Sequence, residues 1–139
     1  MMTEADIKTK IRALFDRVLN QNDLGQLDDL IADDYLDHDP VPGQLPGAEG
    51  IKNKLKGLRE AYPDIRFILE DLVAEGDIVA ARYHWEATHA GQFVGIPATG
   101  KKVSVKGMDF YRFSGGRIIE HWDTVDELGL LRQLGAIPG

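Results

Sequence analysis

In the segment RIIEHWDTVD, residues 117–126, a histidine and an aspartate stand two residues apart, His121 and Asp123. On a β-strand that spacing puts both side chains on one face. An imidazole beside a carboxylate can share a proton with a bound molecule, or the two can pair with each other, which is the minimum needed for general acid/base chemistry. Unbroken alternation places Ile119 on the same inward face and Ile118, Glu120 and Trp122 on the other. His121 and Asp123 are therefore the candidate catalytic residues. The competing reading is a satisfied polar network at a sheet edge, with no chemistry attached.

A second carboxylate belongs to the same surface. In residues 103–113 the odd positions Val103, Val105, Gly107, Asp109, Tyr111 and Phe113 form the inward set, because the even set contains Lys106 and Arg112, which are costly to bury unpaired. Asp109 then lies among apolar residues, where a carboxylate is either raised in pKa or partnered. In residues 78–89, Val79, Ala81, Tyr83, Trp85 and Ala87 point inward and Arg82, His84, Glu86 and Thr88 outward. With the polar cluster DYLDHDP, this describes a mixed apolar and polar pocket. Its candidate substrate contacts are Asp109, Tyr35, His38, Tyr83, Trp85, Phe93 and Tyr111.

The rest of the chain must hold these residues in place. Residues 4–20 carry Ile7, Ile11, Leu14, Phe15, Val18 and Leu19 at helical spacing behind a potential N-cap, Thr3. A short helix with Leu24, Leu27, Leu30 and Ile31 follows, and Pro40 stops regular structure. A third helix is expected from about Ala48 to Ala61, with Ile51, Leu55 and Leu58 on one face and Lys52, Lys54, Lys56 and Arg59 on a solvated one. From Ile65 the period changes to that of strands, four in number, with tight turns at Glu75-Gly76-Asp77 and Ser114-Gly115-Gly116. The loop GQFVGIPATG should help form a pocket mouth, and Leu128, Leu131 and Leu134 make a short apolar closing segment. Helices first and antiparallel strands afterwards imply an α+β fold with one sheet face covered by helices.

Composition narrows the partners. The 139 residues and 15.4 kDa suit a single domain spanning 1–139. A formal charge of −7, from 23 acidic and 16 basic residues, with no basic stripe interleaved with aromatics, argues against nucleic acid. There is no cysteine, hence no thiol nucleophile, disulfide or thiolate metal site. The polar start MMTEADIKTK and the lack of a long apolar run point away from a membrane and toward the cytoplasm. His38, His89 and His121 with several aspartates could supply metal ligands, but no HxH or HExxH spacing occurs, and neither GxGxxG nor GxxxxGK is present. Neither a metal nor a cofactor is expected.

The segments YLDHDP, AYPDIRF, EGDIVAARYHWEATHAGQFVGIPATGKKV, YRFSGGRIIEHWDTVD and LLRQLG resemble the SnoaL-like polyketide cyclases, ester cyclases of the NTF2-like superfamily, over nearly the whole chain. The resemblance implies a cone: a curved antiparallel sheet wrapped around three N-terminal helices, enclosing a cavity, in a homodimer or higher homo-oligomer. It implies a metal-free and cofactor-free intramolecular aldol closure on an anthracycline precursor ester, with the aspartate of EHWD as general acid/base. By position that is Asp123, and His121 also matches a family histidine. The chain departs where those cyclases carry a glutamine and a histidine on the preceding strand; here these positions are Gly107 and Asp109. The expected activity is acid/base cyclisation or isomerisation of a small carbonyl compound, with His121 or Asp109 polarising the enolate oxygen or fixing orientation. The alternative is a non-catalytic small-molecule-binding or dimerising protein. An epoxide hydrolase would need an Asp-Arg-Asp network, and Arg82 and Arg112 fall on outward faces.

Overall fold

A computed structural model describes residues 2–138. Helix α1, Glu4–Ala13, begins with a capping box: the Thr3 hydroxyl accepts from the Asp6 backbone N–H and the Asp6 carboxylate accepts from that of Thr3. The chain continues as a widened π-helical segment, Leu14–Asn20. Its last residue is tied to the sheet, because the Asn20 side-chain amide exchanges two hydrogen bonds, 2.9 and 2.7 Å, with the backbone of Phe67. A 3₁₀ turn, Leu24–Gln26, leads into the one-turn helix α2, Leu27–Leu30.

The strand β1, Ile31–Asp37, comes next, then helix α3, Gly47–Ala61, and strands β2, Arg66–Glu75, β3, Ile78–Thr88, β4, Lys102–Ser114, and β5, Arg117–Val125, with helix α4, Glu127–Leu134, closing the chain. The sheet order is β1-β5-β4-β3-β2. Its last four strands are antiparallel, whereas β1 runs parallel to β5.

Two expectations are corrected here. The sheet has five strands rather than four, because Ile31–Asp37 is itself a strand. Only its first two residues, Ile31 and Ala32, are buried, so at this sheet edge the segment carries no alternation to read. Second, Ile118 rather than Ile119 faces the core: Ile118 is buried and Ile119 only partly so. The cause is a β-bulge. Phe113 pairs with Ile118 but Arg112 pairs with Glu120, so Ile119 is an extra residue, and the alternation shifts by one across it. His121 and Asp123, beyond the bulge, keep the inward side.

On β3 and β4 the alternation holds throughout. Val79, Ala81, Tyr83, Trp85 and Ala87 are buried, as are Val103, Val105, Gly107, Asp109, Tyr111 and Phe113. Their face packs on Ile7 and Ile11 of α1, on Phe15 and Val18 of the π-helical segment, on Leu27, and on Leu130 and Leu134 of α4. Arg82 pairs outside with Asp71, and Arg112 with Asp77 and Glu120. The helices cover one sheet face, the α+β arrangement expected. Among the described residues no helix is long and apolar enough to cross a membrane.

Candidate active site

Between the concave sheet face and the helices lies a cavity of about 920 Å³. Its apolar wall includes Leu14, Leu55, Leu58, Phe67 and Trp85; its polar side includes Tyr35, Asp109, His121 and Asp123. Space on this scale suits a small organic ligand.

The polar side follows from strand register. On adjacent strands β4 and β5, Asp109 is paired with Asp123 and Tyr111 with His121, and on β3 Tyr83 is paired with Gly107. All point inward, so a cluster forms around Asp109, which is only 7 % exposed. The Tyr83 hydroxyl donates to Oδ1 of Asp109 at 3.0 Å, the Tyr111 hydroxyl to Oδ2 at 2.7 Å, and His121 Nε2 to Oδ2 at 3.2 Å. The partnered outcome expected for a carboxylate among apolar residues is the one observed.

His121 has a second carboxylate. Because β1 lies beside β5 with Asp37 in register with His121, Asp37 Oδ1 sits 3.6 Å from Nδ1. Asp37 is held in turn by the Gln44 side chain at 3.0 Å and the Asp39 backbone N–H at 3.0 Å. Burial pulls the pKa of His121 down, but the hydrogen bond to Asp109, the contact with Asp37 and the two negative charges outweigh it and hold the value at about 9. The ring is an imidazolium at neutral pH. Burial likewise pushes the Asp37 carboxyl up, yet His121, Gln44 and the Asp39 backbone prevail and keep it well below the usual carboxylate range.

Asp123 is in the opposite condition. Burial raises its pKa; Lys54 and His121 pull it back, while the charges of Asp109 and Asp37 push it up again, and the net direction is upward. Its backbone N–H donates to Asp39 at 2.9 Å, and its Oδ2 lies 3.5 Å from Lys54 Nζ on α3. The two carboxylates paired across β4 and β5 have therefore been separated in role. Asp109 is fully hydrogen-bonded, while Asp123 faces the cavity with one loose cationic contact. Burial and nearby carboxylates also keep the Tyr35, Tyr83 and Tyr111 phenols protonated, their pKa values raised far above the ordinary 10.

Of the residues singled out from sequence, the cavity brings together Asp123, His121, Asp109, Tyr35, Tyr83, Trp85, Phe93 and Tyr111. His38 lies outside it: the ring stacks on Trp122 at 4.5 Å and Nε2 meets Glu120 at 2.8 Å on the far face of the sheet. His89 is buried elsewhere, its Nδ1 accepting the Thr99 backbone N–H at 3.2 Å and so clasping the loop that carries Gln92, Phe93 and Val94 to the cavity mouth. Asp37, Asp39 and Lys54 were not singled out. Lys54 corrects the reading of its helix: it is not on a solvated face but lines the cavity. The signal was present, since Lys54 falls three residues after Ile51 and four before Leu58, on the apolar stripe.

Among the described residues, the grouping with metal-ligand spacing is Asp109, His121 and Asp123, with ligand atoms within 4.8 Å of one another. It fits a metal poorly, because His121 turns Nε2 onto Asp109 and Nδ1 toward Asp37, and both Asp109 oxygens already accept from the Tyr83 and Tyr111 hydroxyls.

Gly107 acquires a reason. A Cβ there would lie 2.5 Å from both Cζ and the hydroxyl oxygen of Tyr83. The missing side chain is the space in which the phenol reaches Asp109. Gly107→Ala is expected to cost about 1–3 kcal/mol by overpacking, measured by denaturant unfolding. An alanine tolerated at no cost would mean that Tyr83 is free to move.

Residues 9–134 match the family described as SnoaL-like polyketide cyclase. Aklanonic acid methyl ester cyclase DnrD of Streptomyces peucetius is 33 % identical over 101 residues, covering 72 % of this chain and 68 % of that protein. The cyclase DauD of Streptomyces sp. (strain C5), named for the same substrate, is 31 % identical over 128 residues, covering 86 % and 78 %. The structure of TsrD from Streptomyces laurentii superimposes with a TM-score of 0.89 at 31 % identity, covering 99 % of this chain and 100 % of that one. The match over nearly the whole chain, together with the shared fold, establishes that the protein belongs to the SnoaL-like polyketide cyclase family.

Proposed function

We propose that the protein catalyses a cofactor-independent ring closure of a small carbonyl compound, with Asp123 as general acid/base. The observation that carries this reading is the contrast between the two carboxylates: Asp109 saturated with donors, Asp123 open to the cavity and raised in pKa. A base must be ionised to accept a proton yet basic enough to want one, and a carboxylate raised by its surroundings meets both needs.

In the reaction, Asp123 takes a proton from a carbon flanked by two carbonyls. The resulting enolate carbon attacks a second carbonyl carbon of the same molecule, forming the carbon–carbon bond and leaving an alkoxide. The alkoxide recovers the proton from Asp123, so the product is an isomer of the substrate and the carboxylate is regenerated. His121 is a positioning residue in this scheme, its charge balancing Asp109 and Asp37 beneath the reacting groups.

The names of DnrD and DauD supply the test compound. Aklanonic acid methyl ester incubated with the protein should give a ring-closed product of unchanged mass, resolved by liquid chromatography. Absence of product, together with no deuterium uptake at the acidic carbon in D₂O, would favour the binding-protein reading instead.

A further inference from the structure

We infer that Lys54 is the group that holds the developing enolate oxygen, so that the site combines a carboxylate base on β5 with an ammonium electrophile on α3. This rests on the acid/base reading above and extends it to the other half of the reaction. Removing a proton from carbon leaves negative charge on a carbonyl oxygen, and in a largely apolar cavity that charge needs a cationic or hydrogen-bonding partner.

The cavity restricts the choice of cation. Among the described residues that line it, the cationic side chains are His121 and Lys54, against acidic Asp39, Glu60, Asp109, Asp123 and Glu127. Both His121 nitrogens are aimed at carboxylates, Nε2 at Asp109 at 3.2 Å and Nδ1 at Asp37, which does not line the cavity, at 3.6 Å, so neither N–H is directed into the open space. Lys54 differs. Its Nζ meets Asp123 Oδ2 at 3.5 Å, a loose pair, and its side chain is 30 % exposed. An ammonium has three N–H donors, and that pairing uses at most one.

Placement supports the role. Ile51, Lys54, Leu55 and Leu58 all line the cavity from α3, the spacing of one helical face. A lysine whose task was solubility would sit on the opposite face, pointing into solvent. At its observed place it lies across the cavity from the strand that bears Asp123, with its ammonium beside the base. A carbonyl compound whose acidic carbon faces Asp123 would have its neighbouring oxygen within reach of Nζ. Charge balance favours the same arrangement: when Asp123 accepts the proton, it ceases to compete for Lys54, and the enolate oxygen takes its place.

The test uses an enolate mimic in the Asp123→Asn protein, whose neutral side chain stands for the protonated acid. The probe is 2-hydroxy-1,4-naphthoquinone, a planar vinylogous acid ionised at neutral pH, and the control is its uncharged methyl ether, 2-methoxy-1,4-naphthoquinone. Binding is measured by calorimetry. Adding Lys54→Met should weaken the anion about tenfold, the worth of a hydrogen bond to a charged group, and leave the ether within about twofold. Adding Lys54→Arg instead should retain most of the anion affinity. An equal loss for both compounds would make Lys54 a packing residue and overturn the assignment. So would no loss for either, since a lysine that served only to pair with Asp123 has nothing left to do once that residue is asparagine. Failure of both compounds to bind the Asp123→Asn protein also overturns it. Turnover of the ester decides the cyclase reading separately, so the two can fail independently.

Discussion

Asp123→Asn should reduce turnover of aklanonic acid methyl ester by about 10³-fold, within the range expected for loss of a general acid/base, while leaving the protein as stable as before or more so. The stability half follows from the sign of the shift. A carboxyl whose folded-state pKa is raised above its unfolded value loses stability for the fold as pH rises through that range. At neutral pH the ionised Asp123 is therefore a burden on the folded state, set by burial and by the charges of Asp109 and Asp37 and only partly offset by Lys54. Asparagine keeps the shape and removes the charge. The ion pair with Lys54 that the substitution abolishes is long, 3.5 Å, and partly exposed pairs of that kind are worth little. Turnover is read by chromatography and stability by thermal melting of the same samples. A variant that keeps its activity but melts well below the parent would make Asp123 a structural residue.

The second large effect belongs to His121. His121→Ala removes the cation between Asp109 and Asp37, two carboxylates whose side chains are 9 % and 8 % exposed. Breaking a buried charge network from one side costs about 3–5 kcal/mol. The cost should depend on pH. His121 has a folded-state pKa of about 9 against an ordinary 6.5, so its contribution is full below about 6.5 and is lost as pH climbs through 9, a span worth on the order of 3 kcal/mol. Asp37 is depressed, so its contribution is present above the ordinary carboxylate range and is lost as pH falls below it. The stability gap between parent and variant, from denaturant unfolding, is therefore widest between roughly pH 4 and 6.5 and narrows on both sides. A gap that stays constant from pH 6 to pH 10 would remove the imidazolium from the account.

These two residues also show how far the sequence could be read. The inward alternation of β3 and β4 and the placing of Asp109, His121 and Asp123 together were legible, because β3 has one face dominated by apolar side chains and the other face of β4 carries Lys106 and Arg112. The bulge at Ile119 was not, since an extra residue changes the period only where two strands are compared. The partners of His121 were hidden for a related reason. Asp37 reaches it through β1, a strand added parallel at the sheet edge, from a segment whose acidic residues and sparse burial leave no strand pattern. His38, one residue further on, was counted with the pocket and lies on the opposite side, stacked on Trp122. That is the consequence of strand-like alternation in a segment for which the sequence predicts no strand. Lys54 was passed over because three further basic residues nearby, Lys52, Lys56 and Arg59, made the whole run look solvated.

The residues at 107 and 109 change meaning once the structure is known. The resemblance led to a glutamine and a histidine there, and Gly107 and Asp109 stand in their place. Gly107 admits the Tyr83 phenol, and Asp109 gathers Tyr83, Tyr111 and His121. Together these side chains give the cavity a polar floor.

The most direct measurement is a carboxyl NMR titration of Asp123 in the intact protein, repeated with His121→Ala. The account predicts a pKa above the ordinary carboxylate value of 3.8, rising further when the His121 charge is removed. An Asp123 that titrates at or below that value, and does not respond to His121, would contradict the assignment of this carboxyl as the acid/base of the site.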